Sequence, residues 1–281
     1  MSIVAILGAG PLGGTLARKL AQRSRVCEVR LIDSNRNSAA GTALDIQQAA
    51  PLDRCATRVI SGGLDAVIGA TVVAVADQAD QPDGGWSREA ALSMLNQIIQ
   101  LTLSTPIVCA GASDGALISM AVYRLGVNRD RIFGAAPGAL VAGLTTLIAL
   151  EADVSPREVS INVVGSPPIH TVVTWSSATI CGYPLEESLS ANQLARLRAR
   201  VAKLWPPGPY ALSSVTSRVI EALAVADSRR TFTCFVAGDS HDEMPVLSNR
   251  VTLNANGINT VVAPLLSQAE HVQLETSFNQ R

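Results

Sequence analysis

Ile3-Val4-Ala5-Ile6-Leu7 runs directly into Gly8-Ala9-Gly10-Pro11-Leu12-Gly13-Gly14: a short apolar segment rich in β-branched residues, a glycine cluster, then a helical pattern. This is Gly-x-Gly-x-x-Gly after a strand and opening a helix, the arrangement that seats a dinucleotide's pyrophosphate. Gly8 permits the tight turn, Gly10 leaves space for the phosphates to reach the backbone, and Gly13 lets helix and strand pack closely. Pro11 suits the first helical turn because its missing N–H would be unpaired there, and Leu12 follows it at the positive end of the helix dipole. Val29-Arg30-Leu31-Ile32 reads as the next strand and ends in Asp33, twenty residues past Gly13. A carboxylate at that place holds the adenosine ribose hydroxyls. Its charge favours NAD over NADP, whose 2′-phosphate it would repel, and Arg36 partly offsets that preference. The competing reading is a glycine-rich turn in an ordinary α/β domain, with Asp33 as a helix cap.

Composition narrows the class. The chain has 281 residues, 48% hydrophobic and 16% charged, with a net charge of −1. That length allows two substantial domains or one large one. The balanced charge gives no electrostatic case for nucleic acid or a membrane surface, and 4% aromatic residues give no base-stacking platform. Cys27, Cys55, Cys109, Cys181 and Cys234 are scattered and form no Cys-x-x-Cys, which predicts buried, reduced thiols in a cytoplasmic protein. The apolar run over 135–150 is interrupted by Pro137, Gly138 and Gly143, so no segment reads as a membrane span. No histidine has metal-ligand company.

Outward from the glycine turn, strands over 57–61, 71–76, 107–110 and 131–133 alternate with helices over 12–22, 38–49, 88–103 and 116–125. Such alternation predicts an α/β fold with a doubly wound parallel sheet. The polar loop over 77–86 follows a strand's carboxyl end, where an open sheet binds its ligand. Beyond it the pattern becomes α+β: a helix over 140–150, strands over 159–164 and 171–175, helices over 189–204 and 213–226, strands over 232–237 and 246–253, and a last helix over 266–278. This predicts a dinucleotide-binding domain over 1–136 and an α+β domain over 137–281.

Several separated stretches then share one likeness. They include Ile6-Leu7-Gly8-Ala9-Gly10, Ala43-Leu44-Asp45-Ile46 with Ala49-Ala50-Pro51-Leu52, and Ser87-Arg88-Glu89 with Asn96. Asn128-Arg129-Asp130-Arg131-Ile132-Phe133-Gly134, Val154-Ser155-Pro156-Arg157-Glu158-Val159, Trp175-Ser176, Gly182-Tyr183-Pro184-Leu185 and Val219-Ile220-Glu221-Ala222 extend it along nearly the whole chain. In these the chain resembles the lactate/malate dehydrogenase family. The resemblance implies a Rossmann domain followed by the family's substrate domain, NAD as cofactor, and a homodimer or homotetramer. It adds Asn96 to a cofactor-binding set of Gly8, Gly10, Pro11, Leu12, Gly13 and Asp33. For the dimer contact it points to the helix after the second strand, where Ala39, Ala40, Ala43, Ile46 and Ala49-Ala50 supply small apolar faces.

The same resemblance locates the chemistry and shows it changed. Hydride exchange with a 2-hydroxy acid needs a histidine to move the hydroxyl proton, an aspartate to orient it and arginines to grip the carboxylate and polarise the carbonyl. The histidine position falls on Pro167. The aspartate and gripping arginine fall on Leu140 and Gly143, an assisting asparagine on Gly111, and the substrate-selecting loop position on Pro82. Arg88 alone is kept. Asp77-Gln78-Ala79 replaces the stretch bordering the cofactor, and Asp77 brings a negative charge beside a dianionic ligand. The catalytic candidates are therefore Arg88 and His170, the latter as a base displaced by three residues with Asp114 or Asp77 as partner. His170 also reads as a strand-start residue, and Arg88 as an ordinary first-turn helix residue. Two expectations follow: an NAD-binding relative without lactate or malate dehydrogenase activity, or an oxidoreductase acting on a donor without a carboxylate in the usual place.

Overall fold

The computed structural model describes residues 2–23, 25–81, 86, 88–224, 228–239 and 246–279. In the first half, β1 (Ile3–Leu7), α1 (Pro11–Arg23), β2 (Glu28–Ile32), α2 (Arg36–Asp53), β3 (Arg58–Gly62), β4 (Val72–Val75), α3 (Arg88–Leu101), β5 (Ile107–Cys109), α4 (Gly115–Tyr123) and β6 (Ile132–Gly134) alternate as the pattern predicts. Their strands lie parallel in the order β3-β2-β1-β4-β5-β6. The order reverses between β1 and β4, and the crevice beyond the strand ends there is the ligand position of a doubly wound sheet. β1 and β4 are buried on both faces, which is why they read as continuous apolar runs rather than alternating ones.

The second half contains α5 (Ala136–Ala152), β7 (Val159–Ser160), β8 (Val163–Ser166), β9 (His170–Val173), β10 (Thr179–Ile180), β11 (Tyr183–Pro184), α6 (Leu185–Ser188), α7 (Ala191–Arg200), α8 (Pro209–Ala224), β12 (Ser228–Val236), β13 (Leu247–Asn254), β14 (Gly257–Val262) and α9 (Gln268–Asn279). β12 joins the parallel sheet antiparallel to β6, with Phe235 opposite Gly134, and β13, β8 and β9 extend it to the far edge. α8 crosses back onto α1, where Arg23 Nε meets the buried Glu221 carboxylate at 2.7 Å and Lys19 Nζ donates to Ser214 Oγ at 2.7 Å. The main core therefore mixes residues of both halves, such as Leu16, Ile107, Val219 and Phe235. A second core gathers Leu140, Leu144 and Ile148 of α5 with Val163, Val173, Leu185 and Leu197.

Some expectations change. The helix read over 189–204 begins at Ala191, because Ser190 and Gln193 form a reciprocal cap, and its last turn tightens into a 3₁₀ segment, Val201–Leu204. Strand β14 was not legible, since its hairpin with β13 turns on Asn254-Ala255-Asn256-Gly257, a loop-like run. Cys109 and Cys234 are buried, but Cys27 and Cys181 are exposed and Cys55 is intermediate, against the expectation of buried thiols throughout. The small residues of α2 also divide differently: Ala39, Ala43, Ile46 and Ala50 pack inside the chain's own fold, leaving Ala40, Leu44 and Leu52 exposed. The basic run on α7 is partly paired, Arg196 with Glu151 and Arg198 with Glu186, and Arg198 lies over the Trp175 ring. Among the described residues, no helix is long and apolar enough to cross a membrane.

Candidate functional site

Two features meet at the crevice between β1 and β4. The first is the glycine turn. Gly8 has φ of +107°, and its N–H donates to Ile32 O at 2.8 Å. A Cβ on Gly13 would lie 2.0 Å from Gly8 O, so α1 sits against β1 as closely as only glycine allows. The start of α1 presents backbone N–H groups into the crevice, but they are already engaged. The N–H groups of Leu12 and Gly13 donate to the two oxygens of the Asp77 carboxylate at 3.1 and 2.9 Å, and Gly10 N donates to Asp77 O at 3.0 Å. Asp33 is likewise occupied and only 9% exposed. Its Oδ2 accepts from Ala9 N at 2.7 Å and Ala79 N at 3.0 Å; its Oδ1 accepts from Asn35 N at 2.8 Å and Ser34 Oγ at 3.2 Å. The cap of α2 is Asn35, which accepts from Ser38 N, and not Asp33. A pyrophosphate and the Asp77 carboxylate need the same N–H groups, so in this arrangement the turn does not admit the phosphates of NAD.

The second feature is a cavity of about 560 Å³ beside the turn. Pro11 and Leu12 of α1, Asp77, Trp86, Asp114 and the Trp205-Pro206-Pro207 run contribute to its wall. Trp86 is held by its indole N–H, which donates to Ala76 O at the end of β4 at 3.1 Å. Trp205 packs edge-on against Phe235 with ring centroids 6.0 Å apart. Asp114 precedes α4, and its Oδ2 turns back to accept from Gly111 N at 2.7 Å. The Asp114 carboxyl is pushed up to about 6: burial raises it most, the Gly111 N–H pulls it down, and the negative charge of Asp77 raises it further. The Cys109 thiol below it is raised well above its ordinary value by burial and by Asp114. No Lys, Arg or His occurs among the described residues lining this cavity.

The structure brings Gly8, Gly10, Pro11, Leu12, Gly13 and Asp33 together at the crevice and leaves other candidates elsewhere. Asn96 is exposed on α3. Arg88 opens α3, with its side chain outside the described residues, as are Pro82 and His241. His170 opens β9 on the outermost edge of the sheet, paired with Ser166, and does not line the cavity. His271 lies exposed on α9. Leu140 is 2% exposed in the second core, and a Cβ built on Gly143 would lie 3.4 Å from Leu204 Cδ2. Trp86 and Trp205 were not singled out from sequence. The available signal was their position, one after a strand's carboxyl end and the other before a proline run.

Residues 2–119 match the family model described as lactate/malate dehydrogenase, NAD binding domain. Malate dehydrogenase of Chloroherpeton thalassium is 26% identical over 99% of this chain and 95% of its own length. Malate dehydrogenase of Trichormus variabilis is 29% identical over 98% and 90%. Among solved structures, lactate dehydrogenase from Cryptosporidium parvum, complexed with lactic acid and NAD, superposes with a TM-score of 0.88 at 18% identity, covering 99% of this chain and 95% of that one.

Proposed function

The chain belongs to the lactate/malate dehydrogenase family, and from that premise we propose that it is an NAD-binding member without lactate or malate dehydrogenase activity. NAD is the cofactor of the domain that residues 2–119 match. One observation carries the loss of activity: the cavity beside the dinucleotide turn has two carboxylates, Asp77 and Asp114, and no cation among its described lining residues. A 2-oxo or 2-hydroxy acid entering it would lose the hydration of its carboxylate and meet like charge. The positions the resemblance gives to the family's base and clamp are Pro167, Leu140 and Gly143, whose side chains offer neither a proton acceptor nor a cation. Missing a general base alone costs about two to four orders of magnitude in rate. Purified protein should leave NADH at the background rate with pyruvate or oxaloacetate. Turnover at an ordinary enzyme rate would overturn the proposal, and its loss in His170→Ala would install His170 as the displaced base.

A second reading has one observation in its favour. Asp114 is a buried carboxyl raised to about 6 on the cavity wall, a value suited to proton exchange near neutral pH. On this reading the protein oxidises a donor without a carboxylate, neutral or cationic, with Asp114 as the base. A panel of alcohols and amines assayed with NAD, beside Asp114→Asn, separates it from the first. The family also supports a homodimer or homotetramer; a monomer mass by light scattering at micromolar concentration would contradict that.

A further inference from the structure

Residues 77–81 lie strapped across the dinucleotide turn. Gly10 N bonds the Asp77 carbonyl, and Leu12 N and Gly13 N bond its carboxylate. Ala79 N bonds Asp33 Oδ2 at 3.0 Å, Asn35 Nδ2 bonds Asp80 Oδ1 at 3.0 Å, and Gln81 N closes a turn on Gln78 O at 3.2 Å. These bonds fill both places where a dinucleotide makes its polar contacts. The Asp77 carboxylate takes helix N–H groups that phosphate oxygens would take. Ala79 N donates to the aspartate oxygen that a ribose hydroxyl would donate to. The space beside Gly10 is filled too: a Cβ built there would lie 2.6 Å from Asp77 Cγ. The geometry is that of an anion already bound, except that the anion belongs to the chain.

We propose that residues 77–81 are an autoinhibitory strap, with Asp77 a tethered competitor for the pyrophosphate, so that NAD binds only to molecules whose strap has lifted. The proposal rests on the reading that NAD is the ligand of this domain. Apparent affinity is then the intrinsic affinity scaled by the fraction of molecules with the strap open. Substitutions that loosen the strap raise affinity even though they remove polar groups from the site.

Isothermal titration of NADH into the wild-type protein, Asp77→Ala, Asp77→Asn and Asp80→Ala tests this. Asp77→Ala should tighten NADH binding about tenfold or more. Asp77→Asn should fall between it and wild type, since the amide keeps an acceptor but loses the charge. Asp80→Ala should tighten binding modestly, because it loosens the strap without touching the helix N–H groups. Thermal melts confirm that each variant folds, and Asp77→Asn and Asp80→Ala decide the matter if Asp77→Ala does not. Equal, measurable affinities in all four proteins would overturn the strap and leave NAD binding intact. Weaker binding by Asp77→Ala would overturn it as well, making Asp77 a group that assists the ligand. No heat from any of the four at millimolar NADH would overturn the NAD reading itself.

Discussion

The glycine turn and the cavity wall facing it are held to very different degrees by the fold. In the turn, Gly8, Gly10 and Gly13 stand where a dinucleotide requires them. On the wall, Asp77, Asp114, Trp86 and Trp205 surround the space, with Gly111 where the resemblance expects an asparagine; the positions it expects to be charged, Leu140 and Gly143, lie in α5 outside that wall. The reason is mechanical. Gly13 is required by the contact between α1 and β1 whether or not a ligand binds, because any Cβ would meet the Gly8 carbonyl. Gly8 is required by its positive φ. The side chains that act on a substrate have no such second duty, so they can be replaced without cost to the fold. A retained turn therefore reports on packing as much as on a ligand, and the Asp77 carboxylate seated in it makes that plain.

Substitutions test this contrast. The largest effect belongs to the turn: Gly13→Val should cost at least about 3 kcal/mol in urea unfolding, because backbone on the facing side cannot yield as a flexible side chain would. A loss under about 1 kcal/mol would mean that the turn is kept for ligand binding alone. Next comes Asp114. Its proton is held to about pH 6 in the folded protein, whereas its ordinary value is 3.8. Between those values the folded state binds more protons than the unfolded chain, so this group's contribution to stability falls as pH rises and is fully lost above about 6. The loss amounts to about 3 kcal/mol on the scale of 1.4 kcal/mol per pH unit. Asp114→Asn should remove that slope and raise stability at pH 7, which denaturant titrations across pH will read.

Asp77→Ala should act oppositely on stability and on binding. Losing the carboxylate that caps Leu12 N and Gly13 N should lower stability by about 1–2 kcal/mol, while NADH binding tightens. A variant that loses both would separate the cap from the strap. The smallest effect is expected within α5, away from the cavity: Gly143→Ala places its Cβ in ordinary contact with Leu204. It should be neutral, or stabilising by up to about 1 kcal/mol through helix propensity, as a thermal melt will show. A large destabilisation there would show that α5 is packed as tightly as the turn.

The alternation of strands and helices, the glycine turn and the place of Asp33 were legible in the sequence, because these rest on local rules: periodicity, glycine where φ is positive, and fixed spacing along one βαβ unit. Through the resemblance the sequence also pointed to the positions where the family's charged groups are expected. What fills the turn and the space beside it came from contacts between distant segments. That the Asp77 carboxylate folds back onto Leu12 and Gly13, some sixty residues earlier in the chain, depends on β1 and β4 being neighbours in the sheet. That Trp86 and Trp205 share one cavity depends on the antiparallel half docking α8 onto α1. The ordinary carboxyl of Asp114 becomes a raised one because the ends of β5 and α4 bury it near Asp77. His170 has the chemistry of a base but sits at the sheet's far edge, since a side chain's reach is set by the strand that carries it. Hydrogen bonds and desolvation act through space, so whether the turn is open or already filled depends on contacts between segments that lie far apart in the chain.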